Sequence, residues 1–214
     1  MPADWTNLAY LIASILFILG IRGMTHPRTA RRGNFLSAVG MLLAISVTLP
    51  QVHRSGWTLV IAGLGVGTLI GAPLSRLVKM KAVPQLVAIF NGFGGGASVL
   101  VAGATLIGLI GATSAVGKPY QELVATAASG LIGTVTFWGS MVAFAKLQEI
   151  KIFSKPLALP GQQFLKGLFF TAALVLAVMV VLNPSQLEFY WGLVGVATVL
   201  GFILVLPIGG GDMP

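Results

Sequence analysis

The chain has 214 residues, of which 56% are hydrophobic and only 8% are charged, and its formal net charge is +8. Soluble globular domains carry about 25% charged residues, so this composition excludes a soluble globular protein and a disordered chain. The sequence contains no cysteine, which excludes a secreted disulfide scaffold. A polytopic membrane protein is the class that remains.

Seven apolar runs are bounded by charges, proline or glycine, and each predicts a membrane-spanning helix. In chain order they are Trp5–Ile21, Phe35–Leu49, Trp57–Leu77, Pro84–Ala112, Tyr120–Ala145, Phe164–Leu182 and Phe189–Leu206. The second is short and needs its flanks to reach both interfaces, whereas the fourth and fifth are long enough to tilt or to extend past the bilayer. An aromatic belt is predicted near the span ends, at Trp5, Tyr10, Trp57, Tyr120, Tyr190 and Trp191.

The basic residues are distributed unequally between the loops. Only Arg54 and Lys118 follow spans two, four and six. Eleven follow spans one, three and five, namely Arg22, Arg28, Arg31, Arg32, Arg76, Lys79, Lys81, Lys146, Lys151, Lys155 and Lys166. By the positive-inside rule, the N-terminus lies outside and the C-terminus in the cytoplasm. The predicted fold class is therefore an all-α, polytopic membrane helix bundle of about seven helices, with no nucleic-acid partner.

The predicted spans carry no Asp, Glu, Arg or His at mid-depth, so the candidate functional residues inside the membrane are neutral. Asn91, Ser98 and Thr105 in span four are seven residues apart and share one helix face. Span five carries a stripe of small and hydroxyl residues, Thr126, Ser129, Gly133, Thr136 and Ser140, which fits helix packing as well as function. Asn91 has more hydrogen-bonding groups than one hydroxyl can satisfy. We expect the two spans to face each other across Asn91 and Ser140, with room for a short file of water.

Two glycine-rich segments permit several interpretations. Gly92–Gly96 is costly as helix, at up to about 1 kcal/mol per glycine, and indicates close backbone approach, a hinge or room for water. The same run loosely matches a dinucleotide-binding fingerprint, which we reject because that fingerprint requires a strand, a turn and a helix in a soluble unit. Gly63, Gly67 and Gly71 in span three predict helix packing. The sequence predicts no catalytic, cofactor-binding or metal-ligating residue.

Four segments carry a resemblance to a known family: HPRTARRGN (26–34), PQLVAIFNGFGG (84–95), GTVTFWGSMVAFAKLQ (133–148) and IGGGDMP (208–214). In the same order, they closely resemble the beta subunit of the proton-translocating nicotinamide nucleotide transhydrogenase. The resemblance implies a multi-pass protein of the bacterial plasma (inner) membrane, in an enzyme that couples hydride transfer between NAD(H) and NADP(H) to proton movement.

The resemblance also implies an organisation. Residues 1–214 would be a single transmembrane domain, truncated from a chain that continues with two more helices and a soluble NADP(H)-binding domain. An alpha subunit would supply the NAD(H)-binding domain and further membrane helices, and the assembled enzyme would be dimeric. NADP(H) and NAD(H) are then cofactors of the complete enzyme. The partners of residues 1–214 would be the alpha subunit, the NADP(H)-binding domain of the same chain, a second copy of the assembled unit and the lipid bilayer.

Site residues follow from the matched positions. Asn91 matches a position where well-known members carry a histidine implicated in proton transfer. Because asparagine takes up no proton near neutral pH, we expect Asn91 to orient water while a partner helix supplies the titrating group, with histidine the obvious type. Ser140 matches a polar position facing the same channel, and Ser98 and Thr136 extend the predicted proton pathway. Asp212 matches the acidic residue of the family's terminal motif. It is predicted to lie at the cytoplasmic face and to couple the membrane domain to the NADP(H)-binding domain.

Three alternatives stay open. Asp212 fits a solvated acid at a helix end as well as a coupling residue. The chain as a whole also fits a stand-alone secondary transporter, or a non-catalytic membrane scaffold in which Asn91 and the span-five stripe only pack helices.

Overall fold

The computed structural model describes residues 3–51, 56–79, 82–116, 120–150, 153 and 161–209, and within these ranges it contains helices and no strand. The elements are α1 (Ala3–Met24), α2 (Ala30–Thr48), a short 3-10 helix (Leu49–Gln51), α3 (Trp57–Leu77), α4 (Val83–Val116), α5 (Tyr120–Leu147), α6 (Gln162–Leu182) and α7 (Leu187–Val205). Seven of the helices are long and apolar enough to cross a membrane. The predicted all-α bundle of seven spans is confirmed.

The helix bounds explain the two unusual predicted lengths. The second predicted run, Phe35–Leu49, is short, but the helix that contains it begins earlier. α2 begins at Ala30, directly after the turn at His26–Thr29, and these extra residues lengthen the span. The fourth run forms one helix of 34 residues that is unbroken at Gly92–Gly96. An apolar environment requires every backbone N–H and C=O to be paired within the segment, and this requirement outweighs the low helix propensity of glycine.

The chain divides into two compact units, Met1–Pro73 and Leu74–Pro214, with the boundary inside α3. In the first unit α1 and α2 form an antiparallel hairpin with close backbone contact. A Cβ atom added at Gly33 would lie 2.5 Å from the Gly20 carbonyl oxygen. At the other end of the hairpin, the Tyr10 and Thr48 hydroxyls are 2.9 Å apart. The predicted packing of the α3 glycines is not seen within this unit, because a Cβ at Gly63 would meet none of its described atoms within 4 Å.

The second unit is built around α5, which packs against α4, α6 and α7. Its core includes Leu106, Leu123 and Leu193, and the largest fully buried side chain is that of Tyr190. The ring of Tyr190 fills space left by glycines on α4 and α5, and its hydroxyl donates to the Val99 carbonyl oxygen at 2.6 Å. The prediction that Tyr190 belongs to an aromatic belt is therefore wrong: buried tyrosine needs a hydrogen-bond partner for its hydroxyl, and the α4 backbone supplies it.

Candidate functional site

The contact between α4 and α5 brings together the pair of polar residues that the sequence placed opposite each other. The Asn91 side-chain amide (Nδ2) donates to the Ser140 hydroxyl oxygen at 2.9 Å. Two glycines make this distance possible: a Cβ at Gly95 would lie 2.6 Å from the Gly133 carbonyl oxygen, and a Cβ at Gly133 would lie 2.7 Å from that of Gly95. Of the interpretations left open for the glycine run, close backbone approach is the one observed.

Asn91 keeps hydrogen-bonding capacity beyond this contact. A carboxamide has two N–H donors and an oxygen with two lone pairs, and within the described part of the chain Asn91 uses one donor, toward Ser140. The Asn91 side chain is also exposed in the chain as described. Since unpaired polar groups are costly at membrane depth, the remaining donor and acceptor require water or a partner side chain.

Three adjoining recesses follow the interface between α4 and α5. The first, of about 640 Å³, is lined by Asn91, Thr136 and Ser140 together with Val205 and Ile208 at the end of α7. The second, of about 440 Å³, shares Asn91 and Thr136 with the first and adds Ser98 and Ser129. The third, of about 450 Å³, shares Ser98 and Ser129 with the second and adds Thr105, Thr126 and Glu122.

Because each recess shares polar residues with the next, they form one groove, here named the α4–α5 groove. Four of the sequence-predicted pathway residues line it, namely Asn91, Ser98, Thr136 and Ser140. Ser98 donates to the Gly94 carbonyl oxygen of its own helix at 3.0 Å, which leaves its own oxygen free to accept. Asp212 lies outside the described residues. Glu122, noted in the sequence only as the start of span five, lies at the far end of the groove.

Lys146 is a polar residue whose position was not predicted. A lysine in the last turn of a membrane helix is expected to extend toward solvent, but this side chain is only 3% exposed. Its ammonium donates to the carbonyl oxygens of Leu206 and Ile208, the latter at 2.6 Å. The partners are 60 and 62 residues away in sequence, so no local pattern indicates the contact.

The run that matches the dinucleotide fingerprint lies in a different structural setting from the one that the fingerprint requires. Gly92–Ala97, which matches the dinucleotide fingerprint in sequence, lies within continuous α4. The fingerprint acts at a turn before a helix whose N-terminus faces the pyrophosphate, a setting that differs from the position of this run inside α4. Among the described residues, no three His, Asp or Glu side chains are grouped as a metal site requires.

The fold and the groove define a multi-pass α-helical membrane protein with a polar groove between two of its helices. A sequence model of the family described as "NAD(P) transhydrogenase beta subunit" matches residues 6–214. Two sequences of NAD(P) transhydrogenase subunit beta from Rhodospirillum rubrum are 39% identical to this chain over 218 residues. The chain belongs to the NAD(P) transhydrogenase beta subunit family, and its seven membrane-spanning helices make it a multi-pass protein of the bacterial inner membrane.

These matches cover 100% of this chain but 46% of each relative, so the chain spans about half the length of the curated relatives it matches.

Proposed function

We propose that this chain forms part of the proton pathway of an NAD(P) transhydrogenase, coupling proton movement across the membrane to hydride transfer between NAD(H) and NADP(H). The observation that carries the proposal is the Asn91–Ser140 hydrogen bond of 2.9 Å, which lies in a groove lined by further hydroxyl groups. Hydride chemistry belongs to the complete enzyme, which binds both nucleotides outside the residues described above.

In this proposal, Asn91 and Ser140 order water rather than carry the proton themselves. The Asn91 carboxamide donates and accepts hydrogen bonds without titrating, and the Ser140 hydroxyl accepts from Asn91 while its own proton points elsewhere. Water held by these groups would continue to Thr136 and Ser98, which line the neighbouring recess. Ordered waters bridging polar groups are nearly as favourable as direct hydrogen bonds.

The titrating group is proposed to come from a helix of the alpha subunit. Asn91, Ser98, Thr105 and Ser129 are exposed in the chain as described, and lipid satisfies none of their hydrogen bonds. A partner helix laid along the groove would cover them and place a titratable side chain, histidine for preference, beside Asn91.

The proposal also includes the orientation of the chain in the membrane and its assembly with other subunits. The loop charges support an N-terminus outside and a C-terminus in the cytoplasm. Residues 1–214 would be a single transmembrane domain, and the chain would continue with two more helices and the NADP(H)-binding domain. Asp212 would couple the transmembrane domain to the NADP(H)-binding domain at the cytoplasmic face. The assembled unit of alpha and beta subunits would be a dimer.

The test replaces the two central residues in the complete enzyme reconstituted into vesicles. Loss of one hydrogen bond costs about 1 kcal/mol or somewhat more, so Asn91→Leu and Ser140→Ala should each lower the proton-pumping rate roughly tenfold. The matched control is Ser46→Ala, because Ser46 donates only to its own helix, at the Leu42 carbonyl oxygen.

Unchanged pumping at normal assembly would mean that neither residue lies on the path, and would favour the membrane scaffold. The stand-alone transporter is tested separately by the native reading frame. Two further spans and a nucleotide-binding domain after Pro214 would support the enzyme, whereas a stop codon there would favour the transporter.

A further inference from the structure

Lys146 presents a buried charge whose compensation is unusual. Its ammonium is near the end of α5, 3% exposed, and within the described residues it meets no carboxylate at ion-pair distance. Instead it donates to two backbone carbonyl oxygens, those of Leu206 and Ile208. Leu206 follows the last residue of α7 directly. The last carbonyls of a helix have no partner within the helix and carry the negative end of its dipole, so a cation is favourable there.

The contact joins two walls of the recess that holds Asn91 and Ser140. Val205 and Ile208, at the end of α7, line the first recess on one side, and Ser140 lines it from α5. Lys146 follows Ser140 by six residues on the same unbroken helix, about 9 Å along its axis. The ammonium therefore ties the end of α7 to the helix that carries Ser140.

Holding two helices together does not by itself require a charge. One turn earlier, the Gln162 side-chain amide on α6 donates to the Ile203 carbonyl oxygen at 2.9 Å, and this neutral contact fixes the same end of α7. On α4, Gln85 likewise donates to the Leu147 carbonyl oxygen at 2.8 Å. Lys146 makes the same kind of contact with a charged group, whose desolvation the amides avoid, so its charge is the feature that packing alone does not explain.

We propose that Lys146 is a positioning residue for the proton reaction. Its ammonium clamps the end of α7 to α5, sets the width of the recess around Asn91 and Ser140, and links any movement of the chain that follows α7 to that pair. The inference rests on the proposed function, because it assigns Lys146 to the coupling of the same site. The two accepting carbonyls, those of Leu206 and Ile208, belong to the segment directly after α7, so the clamp connects that segment to α5.

The experiment uses the complete enzyme in vesicles and the variant Lys146→Met, which keeps an unbranched side chain but removes the charge and its donors. The matched control is Gln162→Leu, which removes the neutral contact to the same end of α7. Two quantities are measured: the number of protons moved per hydride transferred, and the maleimide labelling rate of an added Ile208→Cys substitution. The chain has no cysteine of its own, and labelling elsewhere is subtracted with the enzyme that lacks Ile208→Cys.

Loss of two charge-assisted hydrogen bonds should raise the labelling rate by about tenfold or more in Lys146→Met. The number of protons moved per hydride should fall in the same variant, whereas Gln162→Leu should keep the parent's ratio. Proton and hydride rates that fall in equal proportion would show a merely structural role and overturn the proposal. Faster labelling with an unchanged ratio would also overturn it, because the clamp would then exist without serving the proton reaction.

Lys146→Gln keeps the test decisive if Lys146→Met does not assemble. This neutral variant retains N–H donors, so a ratio equal to the parent's would overturn the role of the charge, and a lowered ratio would support it. Failure of this proposal is separable from failure of the proposed function, because Asn91→Leu and Ser140→Ala test the pathway with the clamp intact.

Discussion

The close approach of α4 and α5 makes a sharp prediction about two glycines on the same helix. A Cβ added at Gly95 would lie 2.6 Å from the Gly133 carbonyl oxygen and 2.8 Å from the Phe137 backbone nitrogen, whereas ordinary contact begins at 3.4 Å. Both neighbours are backbone atoms, so no side-chain rotation relieves the overlap. A Cβ at Gly108 would meet nothing within 4 Å, which makes Gly108→Ala the matched control for Gly95→Ala.

The magnitude follows from the displacement that the methyl group demands. Relieving the contact at Gly95 requires the helices to separate by about 0.8 Å, the difference between the two distances, and overpacking of this kind costs about 1–3 kcal/mol. Gly95 is one turn from Asn91, so the same movement would stretch the 2.9 Å hydrogen bond to Ser140 toward about 3.7 Å, where it no longer counts as one. Gly108→Ala should instead gain up to about 1 kcal/mol in helix propensity.

Two measurements check this prediction. Thermal unfolding in detergent should place the melting temperature of Gly95→Ala at least about 5 °C below that of Gly108→Ala. In reconstituted vesicles, Gly95→Ala should also lose proton pumping, because the pair at Asn91 and Ser140 is pulled apart, while Gly108→Ala should keep it. Equal melting temperatures for the two variants would refute the close approach of the helices at Gly95. A lowered melting temperature with intact pumping would refute the link between helix separation and the site.

Three further predictions concern stability and are read from melting temperatures in detergent. Tyr190→Phe removes the hydroxyl that donates to the Val99 carbonyl oxygen at 2.6 Å, so it should lower the free energy of unfolding by about 1–2 kcal/mol. Given the relation between unfolding free energy and melting temperature, a melting temperature within about 1 °C of the parent's would contradict this prediction. Glu149 has a φ of 53°, in the left-handed region that favours glycine, which strains the backbone of any other residue. Glu149→Gly should therefore stabilise the protein by about 1 kcal/mol, and a lower melting temperature of this variant would contradict the prediction. Gly33→Ala should destabilise the α1–α2 hairpin by about 1–3 kcal/mol, because its Cβ would meet the Gly20 carbonyl oxygen at 2.5 Å. Gly63→Ala, whose Cβ would meet no described atom within 4 Å, should instead gain up to about 1 kcal/mol in helix propensity, and equal effects of the two substitutions would disprove the difference in packing.

Features that depend on local sequence were predictable. Span number follows from apolar length, since a helix must cover a fixed hydrocarbon thickness. The facing of Asn91 and Ser140 follows from helical periodicity, because residues seven apart on α4 and the stripe on α5 each define one face. These patterns also identified most of the polar residues that line the α4–α5 groove.

Features that depend on distant partners were not predictable. Tyr190 was assigned to the membrane interface by its place near a span end, yet its hydroxyl bonds Val99, 91 residues away. Lys146 was expected in solvent, yet it contacts the end of α7. The sequence also left undecided whether α4 is continuous at Gly92–Gly96. The low helix propensity of glycine disfavours a helix there, whereas the bilayer requires paired backbone groups and favours one, and the local sequence does not show which effect is larger.

The chemistry of the groove determines how the proposed proton step must be divided between subunits. Asn91, Ser98, Thr136 and Ser140 order water without holding a proton, whereas coupling requires a group whose proton occupancy changes during the cycle. The carboxylate that lines the groove, Glu122, is 18 residues from Ser140 on α5, about 27 Å along the helix. That distance is far beyond direct transfer, so Glu122 fits an entry position, and among the described residues that line the groove no titrating group lies at its centre. A proton pathway through this groove therefore takes its titrating group from outside these lining residues. On our proposal it comes from a partner helix at the open side, and the residue to seek there titrates within hydrogen-bonding or one-water reach of Asn91.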